Sequence, residues 1–177
     1  MVDFNNNKYC KDYVNDGLLR KKIYALRYLF DINKHLSKRK LLDIGCATGE
    51  LMKVFNTFGY ECQGIDICDP LIKIARKCGL NAKATTIEKE KYPDKTFDVI
   101  TILSVLQYIE DKVSFLNEVR RILKDDGIVL IHCPRELVSY EELFKVTKES
   151  GLYWNFRREG INKNYNEVIC KKLRRVN

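Results

Sequence analysis

Leu41-Leu42-Asp43-Ile44-Gly45-Cys46-Ala47-Thr48-Gly49-Glu50 is the stretch that decides the fold. The short apolar run predicts a buried strand over 41–44, and the small residues after it predict a tight turn opening a helix over 50–58. Small side chains let a backbone approach a ligand closely, and the carboxyl edge of the first strand is where doubly wound sheets hold nucleotide-like ligands. Any tight strand-to-helix turn would use a glycine pair, so a second signal is needed at the right distance. Asp66 supplies it, ending the predicted strand Glu61-Cys62-Gln63-Gly64-Ile65-Asp66, 21 positions after Gly45. A carboxylate there can accept hydrogen bonds from both hydroxyls of a ribose, each charge-assisted bond contributing about 1.5–3 kcal/mol.

Outward from this pair, short apolar runs alternate with helical stretches. Asp69-Pro70 caps a helix through Lys77 that stops before Gly79, and a short strand follows over 81–84. A continuous apolar strand covers 97–103. The helix over 111–123 turns Phe115, Leu116, Val119, Ile122 and Leu123 to the core, Asp125-Asp126-Gly127 forms a turn, and a buried strand covers 128–133. Strands apolar on both faces, alternating with helices, are the pattern of an α/β doubly wound parallel sheet covered on both sides. The end differs. Ser139 and Glu142 form a capping box opening a helix that closes at Gly151, and strands over 153–158 and 167–173 form a terminal hairpin, making one strand antiparallel. Before the core, Leu18, Leu19, Ile23, Leu26, Leu29 and Phe30 have the spacing of an amphipathic helix over 18–34. The reading is one domain over 1–177: a basic helical extension or lid (1–40), a cofactor-binding core (41–134), and a C-terminal helix and hairpin (135–177).

The 177 residues are 45% hydrophobic and 32% charged, the balance of one globular domain rather than a fibre or a disordered tail. No apolar run approaches the ~18 residues of a membrane span. The polar start lacks the apolar stretch of a secretory signal, so the expected compartment is the cytoplasm. Seven cysteines include no C-x-x-C pair, which argues against structural zinc. The net charge of +8 divides as +6 over 1–40, −2 over 41–134 and +4 over 135–177, so basic ends flank a mildly acidic middle. That distribution suits an anionic partner or, equally, solvated helix faces and a loose tail.

Two nucleotide readings fail at the loop. A dinucleotide fingerprint starting at Gly45 needs glycine at 47 and glycine or alanine at 50, where the chain has Ala47 and Glu50. A phosphate loop needs lysine after Gly49, and Glu50 would repel phosphate.

Together, LLDIGCATGE, GID at the second strand end, FDVITILSVLQYIED and the strand IVLIHCP resemble a class I S-adenosylmethionine-dependent methyltransferase, of the type 11-like small-molecule group. The resemblance spans about three-quarters of the chain, and Ala47 departs from the usual glycine. It implies a mostly parallel, seven-stranded Rossmann-like sheet with the last strand antiparallel, and S-adenosyl-L-methionine as cofactor. By the same resemblance, Gly45, Cys46, Ala47 and Gly49 line the methionine and ribose part, and Asp43 helps bind the amino group. Asp66 holds the ribose, Ile67 lies against the adenine, Thr86 and Ile87 meet the adenine edge, and the Leu103 carbonyl meets the methionine amine. Thr86 stands where aspartate is common, which weakens that contact.

A sulfonium methyl is already electrophilic, so alignment supplies much of the rate, and a base is needed only where the acceptor must lose a proton. His132, at a strand end, is a candidate catalytic or substrate-contacting residue, or else a packed strand-end histidine. Tyr108 either touches substrate or packs under the following helix. Tyr9 and Tyr13 either belong to a lid or lie in a mobile end. Nucleophilic cysteine is discounted, because the cytosine methyltransferases it would resemble carry Pro-Cys where this chain has Leu103-Ser104. The D/N-P-P-Y/F turn of amino-group DNA methyltransferases is absent. The Glu, Glu and His that bind a divalent metal in some quinone and RNA-end methyltransferases correspond to Ser104, Gln107 and Tyr108, so no metal is expected. The expected reaction is metal-independent, in-line methyl transfer to O, N or C of a small metabolite, with an anionic one suiting the basic ends. Two alternatives stand beside it: an RNA methyltransferase holding the phosphate backbone with its basic ends, and a non-catalytic cofactor-binding activator subunit.

Overall fold

The computed structural model describes residues 40–159 and 164–172. The helix expected over 18–34 and the lid candidates Tyr9 and Tyr13 lie outside them. In chain order the described elements are β1 (Lys40–Ile44), α1 (Glu50–Thr57), β2 (Glu61–Asp66), α2 (Asp69–Lys77), β3 (Ala82–Ala84) and α3 (Ile87–Glu90). There follow β4 (Phe97–Leu103), a 3₁₀ turn (Leu106–Tyr108), α4 (Lys112–Ile122), β5 (Leu123–Pro134), α5 (Tyr140–Glu149), β6 (Leu152–Glu159) and β7 (Tyr165–Lys172). The strands form one seven-stranded sheet in the order β3-β2-β1-β4-β5-β7-β6, in which β7 alone runs against its neighbours. The chain divides into two compact units, residues 1–90 and 91–177.

In the first unit β1 pairs in parallel with β2, from Lys40 opposite Glu61 to Ile44 opposite Ile65, and β2 pairs in parallel with β3. Leu41, Leu42 and Ile44 are all buried, as expected of a strand covered on both faces. The helices bury one stripe each: Leu51, Met52 and Phe55 from α1, and Leu71, Ile72 and Ala75 from α2. Phe55 meets Tyr60 edge to face at 4.9 Å. A fully buried side chain of this size contributes about 1.5–3 kcal/mol, so these stripes account for the seating of both helices. The N-cap of α2 is Cys68 rather than the expected Asp69-Pro70 pair. The Cys68 amide is already fixed by Asp66, so the helix begins one residue earlier, with Pro70 still in the first turn, where a missing N–H costs nothing.

In the second unit β4 pairs in parallel with β5, but five steps along β5 from Leu123 to Ile128 match two along β4 from Phe97 to Val99. The turn expected at 125–127 is therefore a bulge within a longer strand. The bulge is fastened by Lys124, whose Nζ donates to both oxygens of buried Asp98 at 2.9 Å. Asp111 caps α4 by accepting from the Ser114 amide, and Phe115, Leu116, Val119 and Ile122 are buried as expected. Only half of the expected capping box forms at α5. Ser139 Oγ accepts from the Glu142 amide at 3.1 Å, whereas the Glu142 carboxylate turns to Lys112 at 3.3 Å. The terminal hairpin forms, with β7 placed between β5 and β6. Among the described residues, no helix is long and apolar enough to cross a membrane.

Gly64, on β2 opposite Asp43, is a packing requirement. A Cβ there would lie 2.5 Å from Met52 Sδ and 2.6 Å from Cys46 Sγ. Gly64→Ala is expected to cost about 1–3 kcal/mol by overpacking, read as a lower midpoint in urea denaturation with unchanged slope.

Candidate functional site

Where β1 ends, three residues within five adopt left-handed backbone: Gly45 (φ 78°), Ala47 (φ 48°) and Gly49 (φ 77°). The Gly45 and Cys46 amides both donate to the Ile65 carbonyl, at 2.8 and 3.1 Å, which bends the chain over the end of β2. The Gly49 amide closes the turn on the Cys46 carbonyl at 2.8 Å. At φ 77° Gly49 holds a conformation that favours glycine, and a Cβ there would also lie 2.2 Å from Leu80 Cδ1, which would have to move. Ala47 bears a cost of about 1–2 kcal/mol for left-handed geometry, and the same geometry delivers its amide to Asp66 Oδ2 at 2.9 Å. At the start of α1, Glu50 is buried and paired with Lys53 at 2.7 Å. The positive end of the helix thus has an acid of its own, in keeping with a ligand that brings no polyphosphate here.

The other Asp66 oxygen, Oδ1, accepts from the Cys68 amide at 2.8 Å. Burial is the largest influence on this carboxyl and raises its pKa above the ordinary value, against the smaller lowering effect of the Cys68, Ala47 and Ile67 amides. A carboxylate has about four lone-pair directions, so capacity to accept from a ligand hydroxyl remains. Ile67, beside it, is 52% exposed, an apolar surface at the tip of β2. The Thr85 amide donates to the Asp66 carbonyl at 2.9 Å, which brings the turn after β3 to the same strand end. Thr86 opens α3 with its carbonyl accepting from the Glu90 amide, whereas the Ile87 side chain is buried in the core. Asp43 is buried within β1. Burial, then the charge of Asp43, pushes the Cys62 thiol up to about 12, and the same two causes raise the Cys46 thiol further. Both are neutral packing groups.

These bonds gather Gly45, Cys46, Ala47, Gly49, Asp66, Ile67 and Thr86 at the carboxyl ends of β1, β2 and β3. The arrangement fits an adenosine: an acid with spare acceptor capacity for the sugar, an apolar face beside it, and a loop whose backbone carries no bulk.

In the second unit, Leu103 ends β4 half-buried, opposite His132 on β5. Ser104 follows in left-handed geometry (φ 56°), its amide donating to the His132 carbonyl at 2.7 Å and its hydroxyl lying 3.4 Å from His132 Nδ1. Gln107 Nε2 donates to the Ser104 carbonyl at 2.9 Å. The His132 ring is buried and stacks on Tyr165 with centroids 4.5 Å apart. Buried Glu167 stands directly opposite His132 in the β5–β7 register, so the two side chains share a sheet face. Tyr108 is half-exposed in the 3₁₀ turn. Burial pushes the Cys133 thiol up to about 12, which leaves it neutral and unreactive. Ser104, Tyr165 and Glu167 escape sequence reasoning. The one available signal is a tyrosine and a glutamate just before the apolar run Val168-Ile169-Cys170.

The methyltransferase domain family matches residues 17–167. The chain is 29% identical to the ajmaline N-methyltransferase of Rauvolfia serpentina over 125 residues, 64% of this chain and 43% of that protein. It is also 29% identical to the ubiquinone biosynthesis O-methyltransferase of Actinobacillus pleuropneumoniae over 115 residues, 59% of this chain and 49% of that protein. The chain therefore spans about half the length of the curated relatives it matches. A solved structure described as a putative S-adenosyl-L-methionine-dependent methyltransferase of Methanococcus maripaludis superposes with a TM-score of 0.80, covering 99% of this chain and 96% of that one at 17% identity. The match over residues 17–167, more than half of the chain, means that the chain belongs to the methyltransferase domain family, on the fold of the class I S-adenosylmethionine-dependent enzymes.

Proposed function

We propose that the protein is a single methyltransferase domain that transfers the methyl of S-adenosylmethionine, without a metal, to O, N or C of a small metabolite. The observation that carries this reading is the Asp66 carboxylate fastened to the Ala47 amide, an acid held against the loop where a ribose would sit. When bound, the cofactor supplies an electrophilic sulfonium methyl. The chain's part is to hold and orient: Asp66 takes the ribose hydroxyls, Ile67 the adenine face, Thr86 and the backbone at Ile87 the adenine edge. Asp43, the Leu103 carbonyl and the backbone of Gly45, Cys46, Ala47 and Gly49 take the methionine part. His132 would accept a proton from an acceptor that must lose one, and Tyr108 would contact the acceptor. Ser104, Gln107 and Tyr108 offer no carboxylate or imidazole where metal-using relatives of this fold carry them, which supports a metal-free reaction. One relative is named for N-methylation and another for O-methylation, and both are methyl transfers of the proposed kind.

Calorimetry with S-adenosylhomocysteine tests the cofactor site. Wild type is expected to bind, and Asp66→Ala to bind at least about ten-fold more weakly through loss of charge-assisted bonds; equal affinity would overturn the assignment. The ionised carboxylate is the better acceptor, so affinity should fall as pH drops through the raised pKa of Asp66, above the ordinary range near 4. Asp66→Asn should abolish that acid limb.

Methyl-labelled cofactor and a metabolite extract test the reaction, with label expected in a small molecule. For the acceptor so found, His132→Gln should lower kcat by about 10²–10⁴ if it is the base and leave S-adenosylhomocysteine affinity unchanged. An undiminished kcat would return His132 to packing.

A further inference from the structure

His132 and Glu167 are ionisable residues on two neighbouring strands whose other buried side chains are largely apolar. On β5 the run from Ile128 to Cys133 is buried throughout, and on β7 Val168, Ile169 and Cys170 are buried beside Glu167. His132 is 7% exposed and Glu167 4%. The antiparallel register sets the two directly opposite each other, an arrangement that puts Cβ atoms about 4.5–5.5 Å apart on one sheet face. Tyr165 fixes that face independently. It lies two positions before Glu167, so its side chain leaves β7 on the same side, and its ring stacks on the imidazole at 4.5 Å with the planes 18° apart.

Each neighbouring element brings a group to this imidazole. From the end of β4, the Ser104 hydroxyl lies 3.4 Å from Nδ1, and a hydroxyl can donate or accept as the ring changes state. From β7 come the Tyr165 ring and the Glu167 carboxyl, and on β6 the row continues in register to Arg158. The next residue on β5, Cys133, projects to the opposite face. It is within electrostatic range of Glu142, which Lys112 engages at 3.3 Å. Burial alone drives an imidazole toward its neutral form, whereas a carboxylate within about 4–6 Å favours the imidazolium. A buried charge is costly without a partner. Two residues of opposite charge facing each other inside the sheet offset that cost for one another.

We propose that Glu167 is a positioning residue for His132: its carboxylate stays ionised and offsets the positive charge the ring gains, so that a buried imidazole can take up a proton near neutral pH. The proposal rests on the methyl-transfer reading for the source of that proton, which leaves the acceptor and enters the ring. The pairing of the two side chains is testable without it.

The experiment follows the ring carbon–proton resonances of the full chain, which has two histidines, through a pH titration, the His132 signal being the one lost in H132Q. E167Q keeps the shape and removes the charge. It is expected to lower the His132 midpoint by at least about one pH unit, a ten-fold loss of proton affinity, and E167D to recover part of it. E136Q removes a carboxylate from the exposed turn after β5 and should leave the midpoint within about 0.2 unit, because solvent and salt screen it. Where E167Q fails to fold, the wild type still decides: the Glu167 carboxyl carbon should show an inflection at the His132 midpoint. An unchanged midpoint in E167Q, or a Glu167 signal blind to the histidine step, overturns the pairing. With the acceptor found by methyl labelling, the acid limb of kcat should move to lower pH in E167Q by the same amount, with S-adenosylhomocysteine affinity within about two-fold of wild type. A limb that stays in place while the resonance midpoint moves overturns the positioning role. Failure of the wild type to bind S-adenosylhomocysteine, with the coupled titration intact, would instead sink the methyl-transfer reading and leave the pair standing.

Discussion

The hydrogen bond from the Ala47 amide to Asp66 Oδ2 is the constraint on which the cofactor site depends. It joins two segments nineteen residues apart, the turn after β1 and the tip of β2, and its donor is the amide of a residue held in left-handed geometry. An alanine in such geometry is strained, and a half-buried carboxylate is costly unless hydrogen-bonded. Each cost is offset by the same contact. The Cys68 bond to the other oxygen then carries the fixation into the start of α2, so loop, strand tip and helix move as one unit.

Packing beneath that contact leaves little slack. Cys46, in the loop, and Met52, in α1, both press on Gly64 in β2, and Leu80 closes on Gly49. A larger residue at Gly64 would press on the loop through Cys46, so that glycine sets the loop geometry from beneath. The second unit uses a different device. There a left-handed Ser104 at the end of β4 is bonded through its amide to the His132 carbonyl, and Tyr165 stacks on the His132 ring. Substituting Tyr165 would therefore change the freedom of the imidazole more than its surroundings.

Much of this was legible in the sequence because it rests on local pattern. Burial on both faces named β1 and β4, the 21-residue interval named Gly45 and Asp66, and side-chain chemistry named Ser139 as a helix cap. What was illegible depends on register. The bulge at 125–127 reads as a turn until β4 is seen to skip past it, and Glu167 reads only as the start of a strand until β7 is inserted beside β5. Arg135 and Asn166 stand 31 residues apart with no periodicity linking them; only the pairing of β5 with β7 brings them together. The Cys68 cap was hidden for a similar reason, since Asp66 was assigned to a ligand and not also to the backbone behind it.

The most direct test of the Asp66 contact is the pH titration of the Ala47 and Cys68 amide resonances, with and without S-adenosylhomocysteine. If one carboxylate holds both amides, the two resonances share a single midpoint, above the ordinary aspartate value near 4. Saturation with the ligand draws that midpoint down, because hydroxyl donors favour the ionised form. Amides that titrate independently, or a midpoint that the ligand leaves in place, would contradict the account.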